Sequence, residues 1–417
     1  MNLSKILLPG WLLAGPLIQA AESKLLDDTS LDTIRIEAAA QHPSAKAAQY
    51  REAAANEDVR AVRLWDEPTV GLGFMAARRP QMRREEGDFQ IGFEIPFPKP
   101  GLYQANLLKT AALRRAEAER TRAARINSGT EATMLAIELA LADEIVRLSS
   151  GELTWLSEME KTAQQMALNP GATSIDSIRL ASEKVKLEQE VAASRRTRAG
   201  IARQLNIVMG KPISNSWSTF RLPVSAPPTP QIAGEVARIP FANPQVRAMT
   251  EMVGAADADI RIADRERLPS FSAGVETRGY SQDGYRGTTL GLKMSVPWFN
   301  RDNYQAKVDA AKFRSDAATA DVETVRREVA GQVIAAATEA ANAAAQARAY
   351  GGEIKDKANE ANKSVQASWI NSKAPLTDLL DTRRMLFSVD LEQRRQIAMQ
   401  LAATEKLNLL VPKLSSK

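Results

Sequence analysis

The chain has 417 residues, of which 44% are apolar but only 5% aromatic; its formal charge is +5, and it holds one histidine and no cysteine. Scarce aromatics argue against one thick core and for thin helical layers packed on alanine, and the interspersed charge gives nucleic-acid binding little support. With His42 as the one imidazole, zinc, iron–sulfur and thiol chemistry are all but excluded; no cofactor, metal site or catalytic constellation is expected, and the chain does not read as an enzyme.

Residues 1–21 read as a secretory signal. Lys5 precedes a mostly apolar run interrupted by Pro9, Gly10, Gly15 and Pro16, and Ala20-Ala21 supplies small residues before Glu22. The run falls short of the roughly 20 residues a spanning helix needs. Without cysteine, no N-terminal lipid anchor is expected. No later segment is apolar enough to span as a helix.

The rest of the chain is a duplication. Pro43 recurs as Pro244, Pro68 as Pro269, Pro96 as Pro297 and Tyr103-Gln104-Ala105 as Tyr304-Gln305-Ala306, each pair 201 residues apart. Gly73 matches Gly274 and Gly151 matches Gly352 at the same spacing. Proline and glycine fix backbone events, so this ladder implies two copies of one architecture. The expected units are a first repeat over 22–222, a proline-rich linker over 223–242 and a second repeat over 243–417.

Each repeat opens with a helix, over 44–65 after His42-Pro43 and over 245–267 after Asn243-Pro244, proline suiting a first helical turn. Hairpins follow at about 68–97 and 269–298. In 88–95, Phe89, Ile91, Phe93 and Ile95 alternate with Gln90, Gly92 and Glu94, and in 290–296 Leu290, Leu292, Met294 and Val296 alternate with Gly291, Lys293 and Ser295. Such alternation marks a strand with one apolar face. That face rests either on a protein core or on lipid. Length of about 10 residues and a polar reverse face suit lipid outside and water inside. Four strands cannot stand in lipid with open edges, so spanning requires several chains to pool them.

Long helical hairpins complete each repeat, at about 103–209 and 304–410. A 65-residue helix reaches about 100 Å. Ser128-Gly129, Ser149-Ser150-Gly151 and Gly351-Gly352 are expected points of bending. The hairpins turn at Asn169-Pro170-Gly171 and at Asn371-Ser372-Lys373-Ala374-Pro375.

This order, twice over, resembles the TolC-type outer-membrane efflux factor family. The residues that carry the likeness are the helix openings His42-Pro43 and Asn243-Pro244, the strand ends Glu94-Ile95-Pro96-Phe97 and Ser295-Val296-Pro297-Trp298-Phe299-Asn300, the turn Asn169-Pro170-Gly171-Ala172, and Leu376-Thr377-Asp378-Leu379-Leu380-Asp381. The resemblance implies a mainly helical, duplicated fold with membrane β-structure. Three copies would pool four strands each into a twelve-stranded barrel above a coiled-coil tunnel across the periplasm. It implies an outer-membrane exit duct of a tripartite efflux system, partnered by a periplasmic adaptor and an inner-membrane pump. The stretch 297–311 is similar in style to ducts paired with heavy-metal pumps. The chain departs from the family at Pro170, Ala172, Ser372 and Ala374.

Asp378 and Asp381 lie three residues apart on one helix face just past the second tip. In a trimer they would form acidic rings at the narrowest opening, which attract cations; otherwise they are first-turn acids favoured by the helix's positive end. Trp369 is either a latch at that pore constriction or a packing residue. Asn169, Pro170, Gly171 and Ala172 at one tip, and Asn371, Ser372 and Lys373 at the other, are the candidate adaptor-docking knobs. His42 reads as a cap residue rather than a catalyst. The competing function is a soluble periplasmic coiled-coil adaptor or structural protein.

Overall fold

The computed structural model describes residues 23–78, 85–168, 174–228, 239–280 and 286–411. The signal segment at 1–21, the first-tip residues Asn169, Pro170, Gly171 and Ala172, and much of the linker lie outside the described residues.

A short strand β1 (Lys24–Leu25) leads into α1 (Asp28–Gln41) and α2 (Pro43–Ala61). Then come β2 (Thr69–Arg78), β3 (Glu85–Pro96), α3 (Leu102–Met166) and α4 (Ile175–Val208). After β4 (Phe220–Arg221) and a single turn α5 (Ile239–Ala242), the second repeat follows as α6 (Pro244–Glu266), β5 (Phe271–Tyr280) and β6 (Arg286–Met294). A 3₁₀ turn (Pro297–Asn300) then starts α7 (Arg301–Gly351), α8 (Glu353–Ile370) and α9 (Leu376–Leu410).

The capping chemistry repeats with the sequence. His42 Nδ1 accepts the Ser44 amide at 3.2 Å, and Asn243 Oδ1 accepts the Gln245 amide at 2.8 Å. Each cap is followed by proline, whose missing N–H costs nothing in a first turn. Asp27 caps α1 by accepting the Ser30 amide at 2.8 Å, and these bonds from Ser30 hold its carboxyl below the ordinary range. Helix α1 and the β1–β4 pair have no counterpart in the sequence-based outline. The first helix also stops at Ala61, before the expected position 65.

The two long helices differ. Helix α3 runs unbroken for 65 residues, straight through Gly129 and Gly151, so those glycines do not interrupt it. In the second repeat the helix breaks at Gly352, whose backbone sits at φ −110° and ψ −118°. Gly129 has a packing reason: a Cβ there would lie 2.6 Å from Arg35 Cγ and 3.0 Å from the Arg35 carbonyl. Its bare backbone lets α1 approach α3.

Alanine sets the spacing of the layers. Ala132, Ala136 and Ala140 repeat every four residues on α3, and Ala336, Ala340 and Ala344 do so on α7; all are buried. A wider core joins α1, α3, α4 and α9 through Leu31, Leu139, Leu205 and Ile397. The end of the first repeat and the start of the linker enter this core as a strap. Phe220 and Leu222 are buried, and β4 pairs in parallel with β1. Asp143 accepts Arg198 at 2.8 Å and the Phe220 amide at 2.9 Å. Arg394 donates to the Pro223 carbonyl at 3.0 Å, and Gln393 to that of Val224 at 3.4 Å. Strap carbonyls thus find side-chain donors where no strand or helix supplies a backbone partner.

Candidate functional site

Both hairpins join one antiparallel sheet in the order β2-β3-β5-β6. The register pairs Val70 with Phe93 and Val275 with Leu290, and it pairs Leu72 with Ile91 and Ala273 with Leu292. Between the hairpins, Phe93 opposes Val275 and Ile95 opposes Ala273. Side chains alternate along a strand, so these residues share one face. Among the described residues, no protein layer covers it: Leu72 is 78% exposed, Phe74 76%, Leu290 83% and Leu292 73%. Among the described residues, no helix is long and apolar enough to cross a membrane; that observation does not bear on strands.

The opposite face is built from Thr69, Gly71, Gly73, Gln90, Gly92 and Glu94 in the first hairpin, and Ser272, Gly274, Glu276, Arg278, Thr289, Gly291 and Lys293 in the second. Glu94 accepts Ser272 Oγ at 2.6 Å and forms an ion pair with Lys293, so it reaches across β5 to β6. Glu276 accepts Arg278 Nε at 2.7 Å. Among the described residues, the outer strands β2 and β6 have a strand neighbour on one side only.

At the far end, α8 and α9 meet in a turn whose geometry explains its residues. Lys373 N–H donates to the Ser368 carbonyl and Ser372 N–H to the Trp369 carbonyl, both at 2.8 Å. This is a Schellman closure, which places Ser372 in the left-handed region at φ 56°, ordinarily a glycine position. Asn371 donates its side-chain amide to the Ala367 carbonyl at 2.7 Å. Asn371, Ser372 and Lys373 are all exposed.

Trp369 is 2% exposed and packs with Leu156, Leu180, Leu376 and Leu379. Its indole donates to Asp176 of α4 at 3.3 Å. Within one chain, then, Trp369 fastens α8 to α4. Asp378 and Asp381 stand on the exposed side of α9, opposite buried Leu376 and Leu379. Asp381 lies 3.4 Å from Arg384, which also pairs with Glu183 of α4 at 3.0 Å.

Several residues at this end escaped the sequence reading. Arg383 of α9 donates to Glu152 of α3 at 2.8 Å and lies 4.6 Å from the Trp155 ring. Burial pushes the Glu152 carboxyl up, more than Arg383 pulls it down. The partners are 231 residues apart, and nothing local in the chain signals the pair. Among the described residues, no group of three or more His, Cys, Asp or Glu side chains is arranged to hold a metal ion.

Residues 241–411 match the family described as outer membrane efflux protein. The whole chain is similar in fold to solved channel proteins. One is CusC, described in terms of folding and transmembrane channel formation: 15% identity, TM-score 0.81, covering 93% of each chain. A second is the outer-membrane channel CmeC of Campylobacter jejuni, at 12% identity and TM-score 0.77, covering 100% of this chain and 95% of that one. A third is the open-state MtrE channel of Neisseria gonorrhoeae, at 16% identity and TM-score 0.76, covering 91% and 88%. At such identities the likeness is one of fold. No curated protein sequence matches the chain.

Proposed function

We propose, from the premise that this chain is a TolC-type outer membrane efflux protein, that three copies form the exit duct of a tripartite efflux system. The duct conducts small molecules or metal ions out through the outer membrane, with its helices extending into the periplasm. A periplasmic adaptor meets the helical tip, and an inner-membrane pump supplies the energy. The family is one of transport ducts, and the chain's role is passive.

The observation that carries this reading is the bare apolar face of the β2-β3-β5-β6 sheet. In water, that much contiguous exposed Val, Leu, Ile and Phe is unfavourable, whereas lipid is its natural solvent. Lipid, however, supplies no hydrogen-bond partners for the free edges of β2 and β6. Pairing β6 of one copy with β2 of the next satisfies both edges. Three copies close the ring with twelve strands, above the roughly eight of the smallest membrane barrels. The glycine-rich polar face then lines the water.

At the other end, exposed Asp378 and Asp381 ring the tip opening and favour cations. The turn at Asn371, Ser372 and Lys373, with that of Asn169, Pro170, Gly171 and Ala172, forms the adaptor-docking surface. The repeats 22–222 and 243–417 each contribute one hairpin to the barrel and one to the tunnel.

The test is to fractionate expressing cells, extract the membranes in detergent, and record conductance in planar bilayers. A detergent-dependent trimer that forms channels supports the duct. A monomer in the soluble periplasmic extract, as a coiled-coil adaptor would be, rejects it.

A further inference from the structure

We infer that the Glu94–Lys293 pair is a charge-cancelling collar on the wall of the conduit, which keeps the barrel end indifferent to the sign of its cargo. The inference rests on the proposed trimeric barrel with its polar face inward.

Three observations converge on these two residues. First, they share the polar face and are joined across β5, with Glu94 of the first repeat bonded to Lys293 of the second. Second, little projects around them. In the register, Glu94 opposes Gly274, which in turn opposes Gly291, and Gly71 opposes Gly92 one step along. A Cβ at Gly274 would lie 3.1 Å from the Phe93 carbonyl and 3.6 Å from Glu94 Cβ, so a larger residue there would crowd the carboxylate. The two charged side chains thus rise above small residues, the glycines together with Thr69 opposite Glu94 and Ser272 opposite Lys293. Third, Ser272 donates to the other carboxylate oxygen at 2.6 Å, which fixes Glu94 where Lys293 reaches it. On the same face, Glu276 accepts Arg278 Nε at 2.7 Å.

The consequence follows from how fields add in a ring. Three neutral pairs present dipoles, whose potential falls off faster than that of a charge. Removing one member from each chain leaves three like charges at one level, facing water between low-dielectric walls that concentrate their field. The pair's contribution to stability is small, because an exposed ion pair is worth little. Its contribution to the potential in the lumen is what distinguishes it.

The experiment compares ion selectivity, from reversal potentials in a salt gradient, for Glu94→Gln, Lys293→Gln, the double variant and the charge swap Glu94→Lys/Lys293→Glu. Asp378→Asn/Asp381→Asn serves as the common background, so the tip does not dominate. Salt near 10 mM gives a screening length of roughly 30 Å, enough for wall charges to be felt across the lumen. Glu94→Gln should shift the cation-to-anion permeability ratio toward anions by about twofold, and Lys293→Gln toward cations by a similar factor. The double variant and the swap should return to the background value. Channels that conduct normally, with all four ratios unchanged, overturn the collar while leaving the duct intact. Shifts of the same sign in both single variants overturn it too. If the background protein forms no channels and stays monomeric, the duct itself is rejected, and the collar with it.

Discussion

Trp369 of α8 donates its indole N–H to Asp176 of α4 across 3.3 Å, joining the two helical hairpins of one chain a few residues from the tip. The contact combines an apolar body with a polar handle. The ring is buried among leucines, while its nitrogen reaches a carboxylate in the first turn of α4. Aromatic residues that bury such a donor usually find it a partner.

Replacing this side chain should loosen the hairpins in two separable steps. Trp369→Phe keeps most of the ring but leaves Asp176 without its donor, costing about 1 kcal/mol. Trp369→Ala empties the site and costs about 3–5 kcal/mol. Urea unfolding in detergent at fixed protein concentration checks both. Equal losses for the two variants would show that packing contributes nothing beyond the hydrogen bond.

Ser372 carries a backbone cost in the opposite sense. Its positive φ closes the Schellman turn, and a left-handed conformation costs a residue with a Cβ roughly 1–2 kcal/mol. Ser372→Gly should therefore stabilise the chain, by about 1 kcal/mol once glycine's extra unfolded-state freedom is subtracted. A lower unfolding midpoint in the variant would mean that the serine contributes something the turn geometry does not reveal.

Much of this fold was legible because it rests on local, repeated chemistry. His42-Pro43 and Asn243-Pro244 announce two helix starts 201 residues apart, and both side chains do cap. The alternation in 88–95 announces a strand whose two faces differ. What stayed hidden depends on distance along the chain. The start of the linker, 223–228, reads as extended chain until Arg394 and Gln400 are seen to hold the Pro223 and Pro227 carbonyls. Helix α1 passes unnoticed although its signal is local, with Leu31, Ile34 and Ala38 recurring at helical spacing behind the Asp27 cap. At the tip, Trp369, Asp378 and Asp381 were nameable from their neighbours in sequence, but Asp176, Glu152 and Arg383 matter through contacts that no spacing rule encodes.

Glu152 should give the tip region an acid-side stability component of definite sign. Its carboxyl is raised above the ordinary glutamate value, mainly by burial, with Arg383 offsetting part of the effect. In the pH interval between the ordinary and the raised value, the folded chain holds more protons at this site than the unfolded chain. Stability from this group is therefore fully present below the ordinary value and lost as pH rises through the raised one. Glu152→Gln lacks that dependence. Its stability relative to the native chain should fall as pH is lowered from 7 to 4, read as the difference in urea midpoints. A difference constant across that range would contradict the burial argument.

The last relationship couples a glycine to a salt bridge. Arg35 of α1 donates to both carboxylate oxygens of Glu405 on α9, at 2.9 and 2.6 Å, and Thr133 of α3 adds a hydrogen bond at 2.9 Å. Burial disfavours the charge on Arg35, but Glu405 and Asp32 together outweigh it and hold the guanidinium above its usual value. Glu405→Gln leaves Asp32 as the remaining carboxylate partner of the half-buried arginine and should cost roughly 1.5–3 kcal/mol. Gly129→Ala acts from the other side. Its methyl group meets Arg35 at the backbone, not at a flexible tip, so α1 must retreat, at a cost of about 1–3 kcal/mol. Once α1 has moved, Arg35 reaches Glu405 poorly, and the second substitution removes less. The double variant should therefore lose about 1 kcal/mol less than the sum of the single losses, within the range known for residues sharing a contact. Strict additivity would mean that α1 accommodates the methyl group without disturbing the bridge, and that Gly129 is not what brings Arg35 to Glu405.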